Sequence, residues 1–334
     1  MFYEYIKYYY QALPQHKKDV YMQIYQGFRA RKTTIDIHTD RSRISPDDLI
    51  EITTAVYNDT PSFYYLDMSG ITWRPTSFGY EFGQKFIYST STIARYDEEV
   101  EKFLAKFKAR YITPNMSDYE KEKAIHDYLV KNVTYNHRAL SLSPRIHEAF
   151  NIIGPLLRGT GVCWGISCAF KLMCDYLRIK CFVVIGNTLP VQPGGAGHAW
   201  NMVRIDGQSY HVDATWDTKE KGDISFCYDY FNLSDRLIKF DHTWESTLYP
   251  TCSSIENNYY KKHHLYVRTI PELTRFIADQ ISSGNRYIAV KFANDMPPKP
   301  RIVEAMQEAM AQARYYSGCS YVIAETTNNI YIQL

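Results

Sequence analysis

The chain has 334 residues, with 38 Lys plus Arg against 36 Asp plus Glu, a net charge of +2, 45% hydrophobic and 22% charged residues. That length allows about two domains, each with its own core. The balanced charge argues against a nucleic-acid partner, since phosphate-driven binding needs cations concentrated on one face, and no apolar run is long enough to span a bilayer.

Glu4 and Lys7 interrupt the aromatic N-terminal stretch "MFYEYIKYYY", which lacks the apolar centre of a secretory signal. The expectation is a cytoplasmic protein, or a secreted or surface one if a leader has been removed. There are seven cysteines, an odd number, and Cys163, Cys168, Cys174 and Cys181 crowd into one segment. Secreted disulfide scaffolds are shorter and denser in cysteine. No CxxC pair and no EF-hand spacing is present, so neither zinc, calcium nor another cofactor is expected. Many of the 30 tyrosines fall in the first 90 residues, where they either pack as an amphipathic core or face a partner.

In chain order, "HKKDVYMQIYQGFRARK" has helical spacing, with Val20, Ile24 and Phe28 on one face. "TTIDIHT" (33–39) alternates as a strand. Ser45 is an N-cap with Pro46 at the first helical position. A charged helix is expected from about 97 to 108. In "SDYEKEKAIHDYLVKN", Ser117 and Glu120 have capping-box spacing. From about 265 the pattern reads βαβαββ, with helices near 271–283 and 300–316. These shifts divide the chain into an N-terminal α+β unit (1–112), a central unit (113–260) and a small C-terminal α/β unit (261–334).

The segment "GTGVCWGISCAFKLMC" sets one cysteine, Cys163, at the start of a helix whose Ile166, Phe170, Met173 and Leu177 recur on one face. Unpaired N–H groups and the positive end of the helix dipole favour thiolate there. Alone, such a cysteine is either a small buried hydrophobe or a nucleophile. In "GHAWNMVRIDGQSYHVDATWD", Asp206-Gly207 predicts a two-residue hairpin turn pairing Ile205 with Gln208. Opposed residue numbers then sum to 413. His198 faces Thr215, and Asp213 lies diagonally within side-chain reach of His198. An imidazole held by a carboxylate is what a thiol nucleophile requires. His211 shares the strand face of Asp213 and is the rival base; His198 is favoured because it follows the glycine-rich "PGGAG". His126 and the His263-His264 pair show no comparable context.

These pieces, "GVCWGISCAFKLMCDYLRIKCFVVIG", "HAWNMVRIDGQSYHVDATWD" and "YDYFNLSD", resemble the transglutaminase-like superfamily over roughly 115–258. The nearest likeness is to bacterial proteins that carry such a domain with extra terminal regions. The resemblance implies an α+β, papain-like core in which a helix carrying the cysteine packs on an antiparallel sheet carrying the histidine and acid. It implies Cys163 as nucleophile, His198 as general base and Asp213 as orienting acid, with "KAIHDYLVKNVTYN" as the helix before the site. Trp164 stands where many relatives have a polar residue, and is carried as a substrate-binding candidate. The expected activity is attack on a carboxamide or peptide bond of a protein or peptide through a thioester, resolved by water or by an amine. The N–H of Cys163 or Trp164 is the expected oxyanion donor. The rival reading is a non-catalytic protein- or wall-binding module on the same scaffold. The segment 186–197 is either a gating loop or an ordinary strand connection.

Overall fold

A computed structural model describes residues 5–141, 147–189, 197–218, 228–293 and 295–334. Helix Gln15–Arg29 buries Val20, Tyr21, Ile24, Tyr25 and Phe28 on the stripe its spacing predicts. It packs on a three-stranded antiparallel sheet ordered Thr34–His38, Gly79–Phe86, Leu66–Thr76. Helix Pro46–Asp59 begins as expected: Ser45 accepts from the Asp48 N–H, and Asp48 reaches back to the Ser45 N–H. Tyr21, Tyr64, Tyr65 and Tyr80 are buried, which answers the question of the tyrosine-rich segment in favour of packing. Their hydroxyls are hydrogen-bonded rather than stranded; Tyr21 donates to Asp59 at 2.9 Å and Tyr65 to the Phe28 carbonyl at 2.9 Å.

The charged helix expected at 97–108 runs longer, over Thr90–Tyr111. Its start is set by Ser89, which caps the Thr92 N–H, and by Ile93 and Tyr96, which begin the buried stripe before the charges appear. Asp118–Asn132 follows, opened by the Ser117–Glu120 capping box.

The central sheet has four antiparallel strands, in spatial order Gln208–Val212, Gly197–Ile205, Lys180–Thr188, His242–Trp244. Its hairpin has the predicted register: Ile205 pairs Gln208, and the ladder continues to Asn201 opposite Val212. Asp206 and Gly207 have φ of 49° and 78°, the left-handed pair a two-residue turn demands. The ladder ends there. Asp213 leaves the strand to cap the short helix Ala214–Asp217, so His198 does not face Thr215 across a ladder.

Helix Cys163–Tyr176 lies on this sheet. Ile166, Phe170 and Met173 are buried, each contributing about 1.5–3 kcal/mol of apolar burial. Two polar bonds fix its position: Ser167 Oγ donates to the Ala199 carbonyl at 2.9 Å, and Asn201 Nδ2 donates to the Ser167 carbonyl at 3.1 Å.

The last part of the chain has the expected βαβαββ order: Tyr266–Val267, Ile270–Ser282, Tyr287–Phe292, Lys299–Gln312, Ser320–Ala324 and Asn329–Gln333. Among the described residues, no helix is long and apolar enough to cross a membrane.

Candidate active site

Cys163 is the first residue of its helix, as its spacing predicts, and Val162 precedes it in extended conformation. The sulfur is half-buried. It lines a cavity of about 550 Å³ whose wall includes Tyr57, Tyr64, Met68, Phe150 and Trp164. The thiol is therefore neither sealed in the core nor free on the surface.

The strand Gly197–Ile205 delivers the imidazole. His198 Nε2 meets Asp213 Oδ2 at 2.6 Å, which leaves Nδ1 for the sulfur. Asp213 is fully buried, and its other oxygen accepts the Thr215 and Trp216 N–H groups at 2.9 and 3.2 Å. One residue thus caps a helix and holds a ring. The Trp200 indole stacks beside His198, with centroids 5.8 Å apart. Room for that indole comes from Gly186, opposite His198 in the ladder. A Cβ at Gly186 would lie 2.2 Å from the Thr243 carbonyl oxygen and 2.6 Å from Trp200 Cη2. Gly186→Ala is expected to destabilise the fold by about 1–3 kcal/mol through overpacking, read as a lowered urea midpoint. Because the displaced ring abuts His198, alkylation of Cys163 should slow as well.

The charges favour an ion pair. At Cys163, burial opposes the thiolate, but hydrogen bonding and charge from His198, with the Ala199 N–H, outweigh it; the thiol sits below its ordinary value. At His198, burial opposes the charged ring, but the Asp213 charge and hydrogen bond, followed by Cys163, push it up to about 10. At Asp213, burial is outweighed by the charge and hydrogen bond of His198, then by His242, and the carboxyl is held well below the usual range. After burial, His198 is the largest cause of the shift at both Cys163 and Asp213.

Tyr135 and His242 join this site unanticipated by the sequence. Tyr135 comes in on a two-residue strand paired in parallel with Thr160–Gly161. It lies beside Cys163; burial first, then the Cys163 charge, pushes its hydroxyl up to about 12. Both amides expected as oxyanion donors, those of Cys163 and Trp164, lie in the first turn of this helix. His242 reaches Asp213 Oδ2 at 3.1 Å from the far edge strand of the sheet. Its only sequence signal is the Asp-His pair in "FDHTW".

The rival histidine is elsewhere. His211 accepts from Trp200 Nε1 at 2.9 Å and meets Asp235 at 2.9 Å, away from Asp213. His126, which showed no context in the sequence, is buried and bonded to Asp217 at 2.9 Å. The segment 186–197 begins as strand, with 186–188 pairing to Trp244–His242; residues 190–196 lie outside the described residues, so the gate idea does too. Trp164 stacks on Tyr57, centroids 5.6 Å apart at 13°, and lines the cavity.

Among the described residues, two clusters bring three donor atoms within 4.8 Å of one another: His198, Asp213 and His242, and His211, Asp235 and Cys252. In the first, both ring nitrogens already face the same carboxylate oxygen. In the second, the Trp200 N–H occupies His211 Nδ1, so the proton sits on Nε2 and no lone pair is left for a metal there. Neither donor set suits an ion.

Residues 105–214 match the transglutaminase-like superfamily. The chain carries a transglutaminase-like domain. Among curated proteins, the human and mouse kyphoscoliosis peptidases are 27% identical over 169 residues, covering 45% of this chain and 25% of each relative. The chain therefore spans about a quarter of those relatives' length. Among solved structures, a TGase is 14% identical with TM-score 0.30, covering 57% of this chain and 52% of its own. A candidate cysteine protease from Cytophaga hutchinsonii is 16% identical with TM-score 0.28, covering 43% and 61%. The transglutaminase-like domain has the α+β core expected of it, the cysteine on a helix and the histidine on the antiparallel sheet.

Proposed function

We propose that this chain is a cysteine enzyme that cleaves an amide or peptide bond of a protein or peptide through a thioester. Cys163 attacks the carbonyl carbon as thiolate, forming the C–S bond. The Trp164 N–H, at the helix N-terminus, and the Tyr135 hydroxyl donate to the oxygen as charge develops on it. His198 then passes its Nδ1 proton to the leaving amine as the C–N bond breaks. Asp213 keeps the ring oriented throughout and stabilises its charged form. Water, deprotonated by His198, resolves the thioester to an acid and free thiol; an amine in the same place would give a new amide. Hydrolysis is the assigned outcome, because water needs no second binding site beside the thioester. Trp164 and Tyr57 form a flat apolar wall on which a substrate side chain can lie.

The observation that carries this reading is a half-buried cysteine lining a cavity, in a fold whose neighbouring histidine ring is held by a buried carboxylate. The test is selective alkylation. Iodoacetamide at pH 6–7 is expected to modify Cys163 far faster than the other six cysteines; Cys168, Cys174 and Cys252 are raised chiefly by burial. Equal labelling of Cys163 and its fellows would refute the activated thiol and leave a binding module. With selectivity established, mass spectrometry of glutamine peptides incubated with and without an amine separates hydrolysis from transfer.

A further inference from the structure

His242 has a setting that the three-residue row does not explain. Its Nε2 meets Asp213 Oδ2 at 3.1 Å, and its Nδ1 meets Asp241 Oδ1 at 2.6 Å. An ionised carboxylate only accepts, so a ring bonded through both nitrogens to two carboxylates must carry hydrogen on both. Neither carboxylate needs a proton of its own. Tyr230 donates to Asp241 Oδ2 at 2.5 Å, and two backbone N–H groups fill Asp213 Oδ1. His242 and Asp213 are fully buried. The other rings against His242 are His198, Trp200, Trp216 and Tyr230, at centroid distances of 5.3, 5.0, 4.5 and 5.6 Å. The titratable groups facing it are Asp213, Asp241, His198, Tyr230 and His211, the last of which the His242 charge helps to lower.

We propose that His242 is a positioning residue, a standing imidazolium that shares Asp213 Oδ2 with His198 and so limits how firmly Asp213 holds the His198 proton. The proposal rests on Cys163 and His198 acting as proposed above. A general acid must release its proton to the leaving amine, and a buried carboxylate with one partner works against that release. A second cation on the same oxygen divides the attraction. It also repels the proton on His198 and favours the thiolate on Cys163. Asp241 neutralises the added charge, so the site gains an opposing field without a net cation.

The test follows the pH dependence of Cys163 alkylation by iodoacetamide in the whole chain. In His242→Gln, an amide can still donate to Asp213, but the charge is gone and Asp241 is uncompensated. Both midpoints of the profile, thiolate formation and loss of the His198 proton, are expected to move up by about one pH unit, the size of a nearby-charge effect. The double variant Asp241→Asn/His242→Gln removes both charges and should bring the midpoints back toward those of the wild type. A role in packing alone would lower the melting temperature and leave the midpoints in place, which would overturn the proposal. Should His242→Gln not fold, side-chain ¹⁵N spectra of the histidine-labelled wild type decide instead. His242 should remain doubly protonated at pH 7, and a neutral ring there would overturn the idea. Wild-type Cys163 labelling no faster than the other cysteines would sink the nucleophile itself, a failure distinct from unchanged midpoints in the variant.

Discussion

His198→Ala is expected to slow iodoacetamide labelling of Cys163 on the order of 10–100-fold at pH 6, since a thiol without its ion-pair partner returns toward its ordinary value and is barely ionised there. Labelling kinetics of that one peptide, followed by mass spectrometry, are the measurement. The sign follows from the shifts. The Cys163 thiolate exists above a value lower than usual, and the His198 imidazolium exists below about 10. The reactive pair therefore fills a broad window that closes at low pH when the sulfur takes a proton and at high pH when the ring loses one. In the alanine variant the acid edge should move up by more than one pH unit and the alkaline edge near 10 should vanish. A variant that kept the wild-type profile would mean that His198 does not activate the sulfur.

Asp213→Asn should have the largest effect on stability. The carboxylate accepts four hydrogen bonds, two from rings and two from backbone amides. An asparagine has one oxygen, so in either amide orientation its N–H groups confront donors. Leaving buried histidines without their counter-charge costs about 3–5 kcal/mol. The cost has a pH signature. Asp213, held low by His198 and His242, contributes stability above the unfolded carboxylate range and loses it as pH falls through its folded value. His198 and His242, raised by Asp213 against the opposing effect of burial, contribute below their unfolded value near 6.5 and lose it as pH rises through their folded values. Both contributions are complete between about pH 4 and 6.5. Urea midpoints of wild type and variant should differ most there and converge toward pH 10. A gap constant with pH would show that the network is not electrostatically coupled to folding.

Much of this site was legible in the sequence because it is local. The Asp206-Gly207 turn fixes a two-residue hairpin, and the hairpin alone carries Asp213 to within reach of His198. The helix start at Cys163 follows from flanking glycines and the periodic apolar residues after it. Even there the reading was too regular: it extended the ladder past Val212, where Asp213 turns off to cap a helix, although the pairing with His198 survives that departure. What escaped notice depends on long-range pairing. Tyr135 reaches the sulfur through a parallel pair with Thr160–Gly161, and His242 arrives on an edge strand whose partner, Thr188, lies across the sheet. Nothing in the spacing of "VTYN" or "FDHTW" specifies those partners. His126 was likewise unreadable because Asp217, which holds it, is 91 residues away.

The cavity beside Cys163 joins two stretches of chain. The candidate catalytic groups fall within residues 105–214, the part the family model matches, whereas Tyr57, Tyr64, Leu66 and Met68 in the lining precede it. On the proposed function, part of the substrate wall is thus encoded outside the segment that carries the chemistry. Changes in the strand beginning at Leu66 can retune what is admitted while leaving bond-breaking untouched, so two proteins alike in the shared segment need not accept the same molecule.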